Sequence, residues 1–324
     1  MAAPSSSPPP PPPFILAAAA LLLVLSQLSA PSSAGAAHPR MLSLVTTPPL
    51  VLTYHKGQLL KGNVTVNLLW YGRFSPRQLS IVAEFFRSLS SPAKPSPSVA
   101  SWWSTTAAYA GGPAHIVLGK QLVDGEYSRG KALKNQDIVS LSAKLASAKP
   151  SGGNAVNFVL TSSDVGVEDF CMNSCGLHGW STTAPGGKGA KFTYAWVGNS
   201  VSQCPGQCAW PFHQPIYGPQ MPPLVAPSGD IGVDGMIINL ATVLAGTVTN
   251  PFDTGYFQGP SDVPLEAVTA CTGIFGAGAF PGYPGVVLVD KTNGASYNAI
   301  GLGGRKFLLP AMWNPKTSTC KTAV

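Results

Sequence analysis

Charged side chains are scarce in this sequence of 324 residues, which has 20 Lys and Arg and 13 Asp and Glu, or 10% of the chain. The formal net charge is +7, but the basic residues are scattered along the chain rather than clustered. Proteins that bind nucleic acids concentrate their basic residues on one surface. The sequence therefore argues against a nucleic-acid partner.

Several catalytic motifs are also missing. The chain contains no HExxH, which places two zinc-binding histidines and a glutamate on one helix, and no GxSxG nucleophile elbow. GLGG (301–304) lacks the Lys-Ser/Thr of a phosphate-binding loop and is interpreted as a turn. No carboxylates form a recognisable pair for glycoside hydrolysis. The sequence predicts no cofactor and no metal, and it favours a role without catalysis.

The N-terminal apolar run is too short to cross a bilayer. FILAAAALLLVL (14–25) has twelve residues, whereas a membrane-spanning helix needs about 20, and its length is typical of a signal peptide. Small residues follow at 30, 34, 36 and 37. We therefore predict a secretory signal peptide over residues 1–37, cleaved between about residues 30 and 37. A single domain over 38–324 would follow, with no further membrane span.

Strand and helix patterns alternate through the first half of the chain. Predicted strands cover 63–72, 115–119 and 191–199, and the segment 155–165 is predicted to be a buried strand and the start of a loop. Predicted helices cover 75–89, 98–110 and 135–149. This alternation favours an α/β fold in which a layered, mixed sheet has flanking helices. Residues 201–230 are rich in Pro, Gly and aromatics and are predicted to be irregular. Two late strands are predicted at 285–290 and 305–313.

The segment 233–251 predicts a helix that is apolar around most of its circumference and is therefore buried. Its one polar or small stripe consists of Asn239, Thr242, Gly246 and Thr249. A central helix late in an α/β chain suggests a zincin-like architecture. Thr242 and Gly246 cannot bind zinc, so such a protein would be a catalytically inactive relative.

The six cysteines are spaced in a way that admits two interpretations. Two CxxxC pairs, with 28 residues between Cys175 and Cys204, would suit a four-thiolate zinc site. Secreted proteins instead oxidise their cysteines, so the signal peptide favours three disulfides that staple a loop-rich middle segment. The four central cysteines are expected to pair among themselves and Cys271 with Cys320. The six are Cys171, Cys175, Cys204, Cys208, Cys271 and Cys320.

Two histidines lie beside these cysteines, His178 in FCMNSCGLHGW and His213 in WPFHQP. One hypothesis gives them a catalytic role, as metal ligands or a general base, together with Asp230 or Asp234 in a divergent metal-dependent hydrolase. The alternative is structural: both histidines hydrogen-bond backbone carbonyls in stapled loops. The structural interpretation is the commoner outcome for such residues.

Seven tryptophans and one sequon complete the candidate sites. Trp70 and Trp196 lie in apolar strands and are expected in the core, whereas Trp180 and Trp210 lie beside the cysteines and are better placed to bind a ligand. Flat aromatic rings stack on sugar rings, and the positive charge would suit an acidic polysaccharide. Asn63 begins the sequon Asn-Val-Thr and is a predicted N-glycosylation site.

Several longer motifs resemble the plant EXORDIUM family, also called phosphate-induced proteins. They are YHKGQLLKGNVTVNLLWYG, FCMNSCGLHG, YAWVGN, CPGQCAWPFHQP, DGMIINLATVLAGTVTNPF and GRKFLLPAMWNP, and the similarity runs from about Tyr54 to the C-terminus. The resemblance implies an extracellular protein of the apoplast or cell wall, linked to brassinosteroid-responsive growth and cell expansion. It implies no reaction. We therefore expect binding of a wall polysaccharide, such as acidic pectin, or of a surface protein. The alternative is a wall-modifying enzyme that uses His178, His213 and an aspartate.

Overall fold

The computed structural model describes residues 49–92, 96–147, 154–172, 174–183, 189–218 and 221–324. Residues from Pro49 onward group into one compact unit. The predicted signal peptide, 1–37, and its cleavage region lie outside the described residues. The predicted α/β class is confirmed, since helices pack on a mixed sheet.

The central sheet has five strands in the order β3-β2-β5-β8-β7, all parallel to their neighbours except the edge strand β7. Its strands are β2 (Gly62–Tyr71), β3 (Ala114–Asp124), β5 (Ala155–Thr161), β7 (Gly176–Thr182) and β8 (Lys191–Gly198). Four of these overlap the strands predicted from sequence. The prediction was wrong for β7, because its residues were assigned to a stapled loop.

The remaining strands are short and pair locally. They are β1 (Thr53–Tyr54), β4 (Ala132–Leu133), β6 (Gly166–Val167), β9 (Tyr256–Phe257), β10 (Leu288–Val289), β11 (Ser296–Tyr297), β12 (Ala299–Ile300), β13 (Lys306–Phe307), β14 (Met312–Asn314) and β15 (Thr319–Lys321). The late strands predicted at 285–290 and 305–313 are therefore two- or three-residue ladders separated by turns.

The helices occupy both faces of the sheet. They are α1 (Pro76–Leu89), α2 (Val99–Trp103), α3 (Asn135–Ser147), α4 (Pro205–Cys208) and α5 (Ile231–Thr249). Ser75 caps α1 and forms a reciprocal capping box with Gln78, as the Ser-Pro start predicts. The predicted helix over 98–110 ends early, because α2 gives way to a 3-10 helix at Ser104–Ala108.

Side chains along β2 alternate between two cores. Val66 and Leu68 pack in the cluster that contains α1 and α5, whereas Leu69 and Tyr71 pack in the cluster that contains α3. A strand buried on both faces is expected at the centre of a parallel sheet. In this unit the sheet is therefore the middle of three layers, with α1 and α5 on one face and α3 on the other.

Helix α5 is the central helix that the sequence predicts. Asp230 caps its N-terminus by accepting a hydrogen bond from the Val233 amide at 3.1 Å. By length and composition α5 could cross a membrane, although the sequence predicted no further segment of this kind. However, 83% of its most apolar stretch is buried inside the protein. Packing on the sheet therefore identifies it as a core helix.

The prediction of three disulfides is confirmed. Cys171 bonds Cys204 and Cys175 bonds Cys208, both across 33 residues, and Cys271 bonds Cys320 across 49 residues. Closing loops of this length contributes roughly 3–4 kcal/mol each in the chain-entropy description. The first two bonds join the segment that precedes β7 to the N-cap and the last residue of α4, and the third ties the C-terminal segment to the segment after Glu266.

Candidate functional site

A cleft with two adjoining cavities lies where α4 and α5 meet the segment 272–282. The outer cavity has a volume of about 620 Å³ and the inner cavity about 390 Å³. Both are lined by Gln207, Trp210, Thr272 and Gly273. We call this feature the Trp210 cleft.

Three aromatic side chains, Trp210, Tyr217 and Phe280, line the outer cavity. Trp210 is half-buried and packs on Phe275 with ring centroids 5.7 Å apart. Tyr217 is 87% exposed and Phe280 is 59% exposed, although both line the same cavity. Large rings are more often buried than displayed in this way, so the outer cavity presents a surface suited to a flat, partly apolar ligand.

The inner cavity has several hydroxyl and amide side chains in its lining, and the predicted stripe of α5 forms part of its wall. Asn239 and Thr242 of that stripe line the cavity. The Asn239 amide nitrogen donates to the Cys208 carbonyl at 2.9 Å and so ties α5 to α4. The disulfide partner of Cys208, Cys175, also lines the cavity. The wall is therefore fixed by a covalent bond and a hydrogen bond.

Charged side chains are missing from the lining of both cavities in the described part of the chain. Glycoside hydrolysis requires two carboxyl groups that face the bound sugar. A nucleophile activated by a histidine or by a metal likewise needs ionisable groups at the ligand. Among the described residues, the lining of the Trp210 cleft supplies none of these ionisable groups.

His178 lies outside the cleft, on β7, and pairs with an acidic side chain that the sequence did not single out as its partner. Its Nε2 lies 2.8 Å from Oε2 of Glu266. The other oxygen of Glu266 accepts a hydrogen bond from the Asn250 amide at 2.8 Å. The structural interpretation predicted a backbone carbonyl as the hydrogen-bond partner of His178. That partner was wrong, because His178 contacts the buried carboxylate of Glu266.

Gly246 of α5 provides the space for this pair. A Cβ atom at position 246 would lie 2.5 Å from Oε2 of Glu266 and 2.8 Å from Nε2 of His178. Real Cβ atoms essentially never approach other atoms so closely. The small residue in the predicted stripe is thus explained by the close approach of the His178–Glu266 pair to the helix.

Burial lowers the pKa of His178, but the charge and hydrogen bond of Glu266, with a smaller contribution from Asp253, outweigh this effect and raise it overall. Only 11% of the His178 side chain and 9% of the Glu266 side chain are exposed. Nδ1 of His178 is buried and has no hydrogen-bond partner within the described structure. The pair is therefore a buried ion pair when the imidazole is protonated.

His213 and Asp234 do not join His178. His213 is exposed, and its Nδ1 lies 3.0 Å from the carbonyl oxygen of Gln214. Asp234 is buried in the first turn of α5, where one oxygen accepts from the amide and the hydroxyl of Ser228 at 2.7 and 2.8 Å. The described residues contain no cluster of three or more His, Cys, Asp or Glu that could hold a metal. The hydrolase hypothesis is not favoured.

Burial raises the pKa of Asp234 to about 7, against the two hydrogen bonds from Ser228, which lower it. The nearby Asp230 raises it further and Arg305 lowers it. Asp234 therefore changes its charge near neutral pH inside the N-terminal turn of α5.

Trp180 lies on β7 and is 38% exposed, but its ring contacts its own chain. The ammonium of Lys191 lies 4.4 Å from the ring centroid, and the Phe252 ring lies edge-on at 6.2 Å. The indole nitrogen donates to Asp253 at 3.2 Å. Trp180 lines neither cavity of the Trp210 cleft, so the two predicted binding tryptophans occupy separate places.

Asn63 is exposed at the start of β2, opposite His115 of the edge strand β3. It lines a groove of about 570 Å³ along that edge. This position is accessible to a glycan, and its glycosylation stays a prediction.

Comparisons with known proteins agree with the motif resemblance. The family model described as "Phosphate-induced protein 1 conserved region" matches residues 52–323. The chain is 61% identical over 287 residues to Protein EXORDIUM-like 2 of Arabidopsis thaliana, covering 87% of this chain and 92% of that protein.

Two further relatives have comparable coverage. The chain is 55% identical to Protein PHOSPHATE-INDUCED 1 of Nicotiana tabacum, covering 88% of this chain and 92% of that protein. It is 53% identical to Protein EXORDIUM of Arabidopsis thaliana, covering 85% and 90%. No solved structure matches the chain, and the zincin-like part of the fold prediction has no support.

Proposed function

The chain belongs to the EXORDIUM family of phosphate-induced proteins, and we propose that it is a secreted plant cell-wall protein that promotes growth by binding a wall polysaccharide. It acts without catalysis, in brassinosteroid-responsive cell expansion. Three disulfides support the extracellular location, because such bonds persist in oxidising compartments.

The observation that carries the proposal is the Trp210 cleft. Exposed aromatic rings line its outer part, and no charged side chain lines it in the described residues. This combination favours a polysaccharide over a surface protein, since a concave, uncharged groove with exposed rings suits stacking on sugar faces. The same lack of carboxylates favours binding over hydrolysis.

The test is retention of the full-length, plant-expressed protein on isolated cell walls. We expect the wild type to be retained and the Trp210→Ala variant to bind about tenfold more weakly, as for a central aromatic contact. Trp180→Ala is the matched control, since it removes a tryptophan outside the cleft, and it should bind like the wild type.

Because Trp210 packs on Phe275, thermal unfolding must first show that Trp210→Ala is folded at the assay temperature. Equal retention of the folded Trp210→Ala variant, or no retention of the wild type on any wall fraction, would overturn the proposal. Release of new reducing ends from the walls would show catalysis and contradict the non-catalytic part.

A further inference from the structure

Exposed rings of the outer cavity provide a stacking surface that contributes little to the fold. Tyr217 and Phe280 are more than half exposed, and neither belongs to the hydrophobic core clusters. Phe280 packs at 5.1 Å on Tyr283, which holds one ring in place. Apolar side chains exposed together beside a cavity mark a binding surface.

The inner cavity adds hydrogen-bond acceptors. Its hydroxyl and amide side chains are Ser174, Gln207, Asn239, Thr242, Thr269 and Thr272. Three of them already donate to backbone carbonyls, Asn239 to Cys208, Thr242 to Ile238 and Thr272 to Thr269. Their side-chain oxygens accept hydrogen bonds, which matches a sugar hydroxyl as donor. A proline-rich peptide, which would also suit aromatic rings, offers mainly carbonyl acceptors, and a lipid tail offers neither group.

Charge decides between acidic and neutral polymers. The chain has an excess of seven positive charges, and this excess led to the expectation of acidic pectin. Yet neither cavity is lined by Lys, Arg or His in the described residues. Binding a polyuronate here would take its carboxylates out of water without a cationic partner, which is unfavourable.

The cleft is also held in one shape. Cys175 and Cys208 form a disulfide in the wall of the inner cavity. Cys271, immediately before Thr272 and Gly273, is bonded to Cys320. A site that is ordered before binding loses less entropy when a ligand arrives.

We propose that the Trp210 cleft binds an uncharged wall glycan with flat apolar ring faces, such as a β-linked glucan chain. Sugar rings stack on Tyr217, Phe280 and Trp210, and their hydroxyl groups bond to the side chains of the inner cavity. This inference rests on the proposed function and specifies its ligand class.

Calorimetric titration of the full-length secreted protein with short soluble glycans tests the inference. The probes are cellohexaose and a xyloglucan oligosaccharide as neutral ligands, hexagalacturonate as the acidic ligand, and a proline-rich peptide. We expect a neutral ligand to bind. Its affinity should change by less than about twofold between about 20 and 500 mM salt, because no ion pair forms in the cleft.

Two exposed rings serve as the variants. Tyr217→Ala and Phe280→Ala should each weaken neutral-glycan binding about tenfold, and Tyr217→Phe should retain it because the ring is kept. Both alanine variants are expected to fold, since exposed side chains contribute little to stability. Trp180→Ala again serves as the control outside the cleft and should leave the affinity unchanged.

Each alternative outcome is distinct. Salt-sensitive binding of hexagalacturonate alone would overturn the neutral-glycan inference while wall binding stands. Binding of the peptide alone would replace the glycan by a protein partner. Neutral-glycan binding that survives both alanine variants would place the site elsewhere. No binding of any probe, together with no retention on walls, would remove the proposed function as well.

Discussion

Gly246→Ala tests the buried His178–Glu266 pair, because the pair decides whether the substitution raises or lowers the free energy of unfolding. In an ordinary helix this change stabilises a protein by about 0.8–1.0 kcal/mol, since alanine is the better helix former. Here the new Cβ would lie 2.5 Å from Glu266 and 2.8 Å from His178. The methyl group can be accommodated only if the buried pair separates or α5 moves away from β7.

The expected change in the free energy of unfolding is the difference between the cost of disrupting the pair and the gain in helix preference. Disrupting a buried ion pair costs about 3–5 kcal/mol, and the helix preference returns about 1 kcal/mol. We therefore expect Gly246→Ala to lower the free energy of unfolding by about 2–4 kcal/mol. Guanidinium unfolding of the disulfide-intact protein at pH 6, where His178 is protonated, measures it.

A background that lacks the pair provides the control. In the variant His178→Ala, Glu266→Ala the space beside Gly246 is open, and adding Gly246→Ala should be neutral or stabilise by up to about 1 kcal/mol. If Gly246→Ala stabilises the wild type, the close contact does not exist. If its penalty is equal in both backgrounds, the penalty arises from other neighbours of α5.

Three further predictions concern pH and the disulfides. The pKa of Asp234 is raised from 3.8 to about 7 in the folded protein. The stabilisation that Asp234 contributes is therefore present below about pH 4 and is lost as the pH rises to about 7, a fall in the free energy of unfolding of order 4 kcal/mol. Asp234→Asn should flatten this fall in urea unfolding measured from about pH 4 to 8. The pKa of His178 is also raised in the folded protein, so the stabilisation from its ion pair with Glu266 is lost above about pH 6.5, as the pH passes the folded pKa. His178→Gln should remove this pH-dependent loss of stability, and an unchanged pH dependence would contradict the ion pair. Replacing Cys271 and Cys320 together by serine should lower stability by about 3–4 kcal/mol and weaken ligand binding, whereas an unchanged affinity would show that the cleft does not depend on this bond.

The sequence predicted the centre of the sheet because burial on two faces leaves a plain pattern. The strands β2, β5 and β8 are rich in β-branched, aromatic and other apolar residues, as expected for parallel strands. β7 lacks such a run for a physical reason. Cβ atoms at Gly176 and Gly179 would lie 2.7 Å from the Trp196 carbonyl oxygen and 2.8 Å from the Tyr194 hydroxyl. Close approach to β8 requires glycines, which made this strand look like a loop.

The candidate site was only partly accessible from sequence. The α5 stripe and Trp210 were identified, since helical spacing and position beside the cysteines are local features. Tyr217 and Phe280 were not connected to them, and Glu266 was not connected to His178, because the cleft and the buried pair are each assembled from segments far apart in the chain. Local sequence patterns carry no information on which loops meet in the folded chain. The predicted bond between Cys271 and Cys320 was a sequence feature next to Thr272 of the cleft.

The polar stripe of α5 links the buried pair to the cleft. Asn239, Thr242 and Gly246 are spaced i, i+3 and i+7, which places them on one face of the helix. The first two line the inner cavity, and the third contacts the His178–Glu266 pair. A displacement of α5 at Gly246 would therefore move the polar wall of the cavity relative to Thr272. Gly246→Ala should weaken neutral-glycan binding even where the protein remains folded, although position 246 lies outside the cleft, and unchanged affinity would show that the pair and the cavity are mechanically independent.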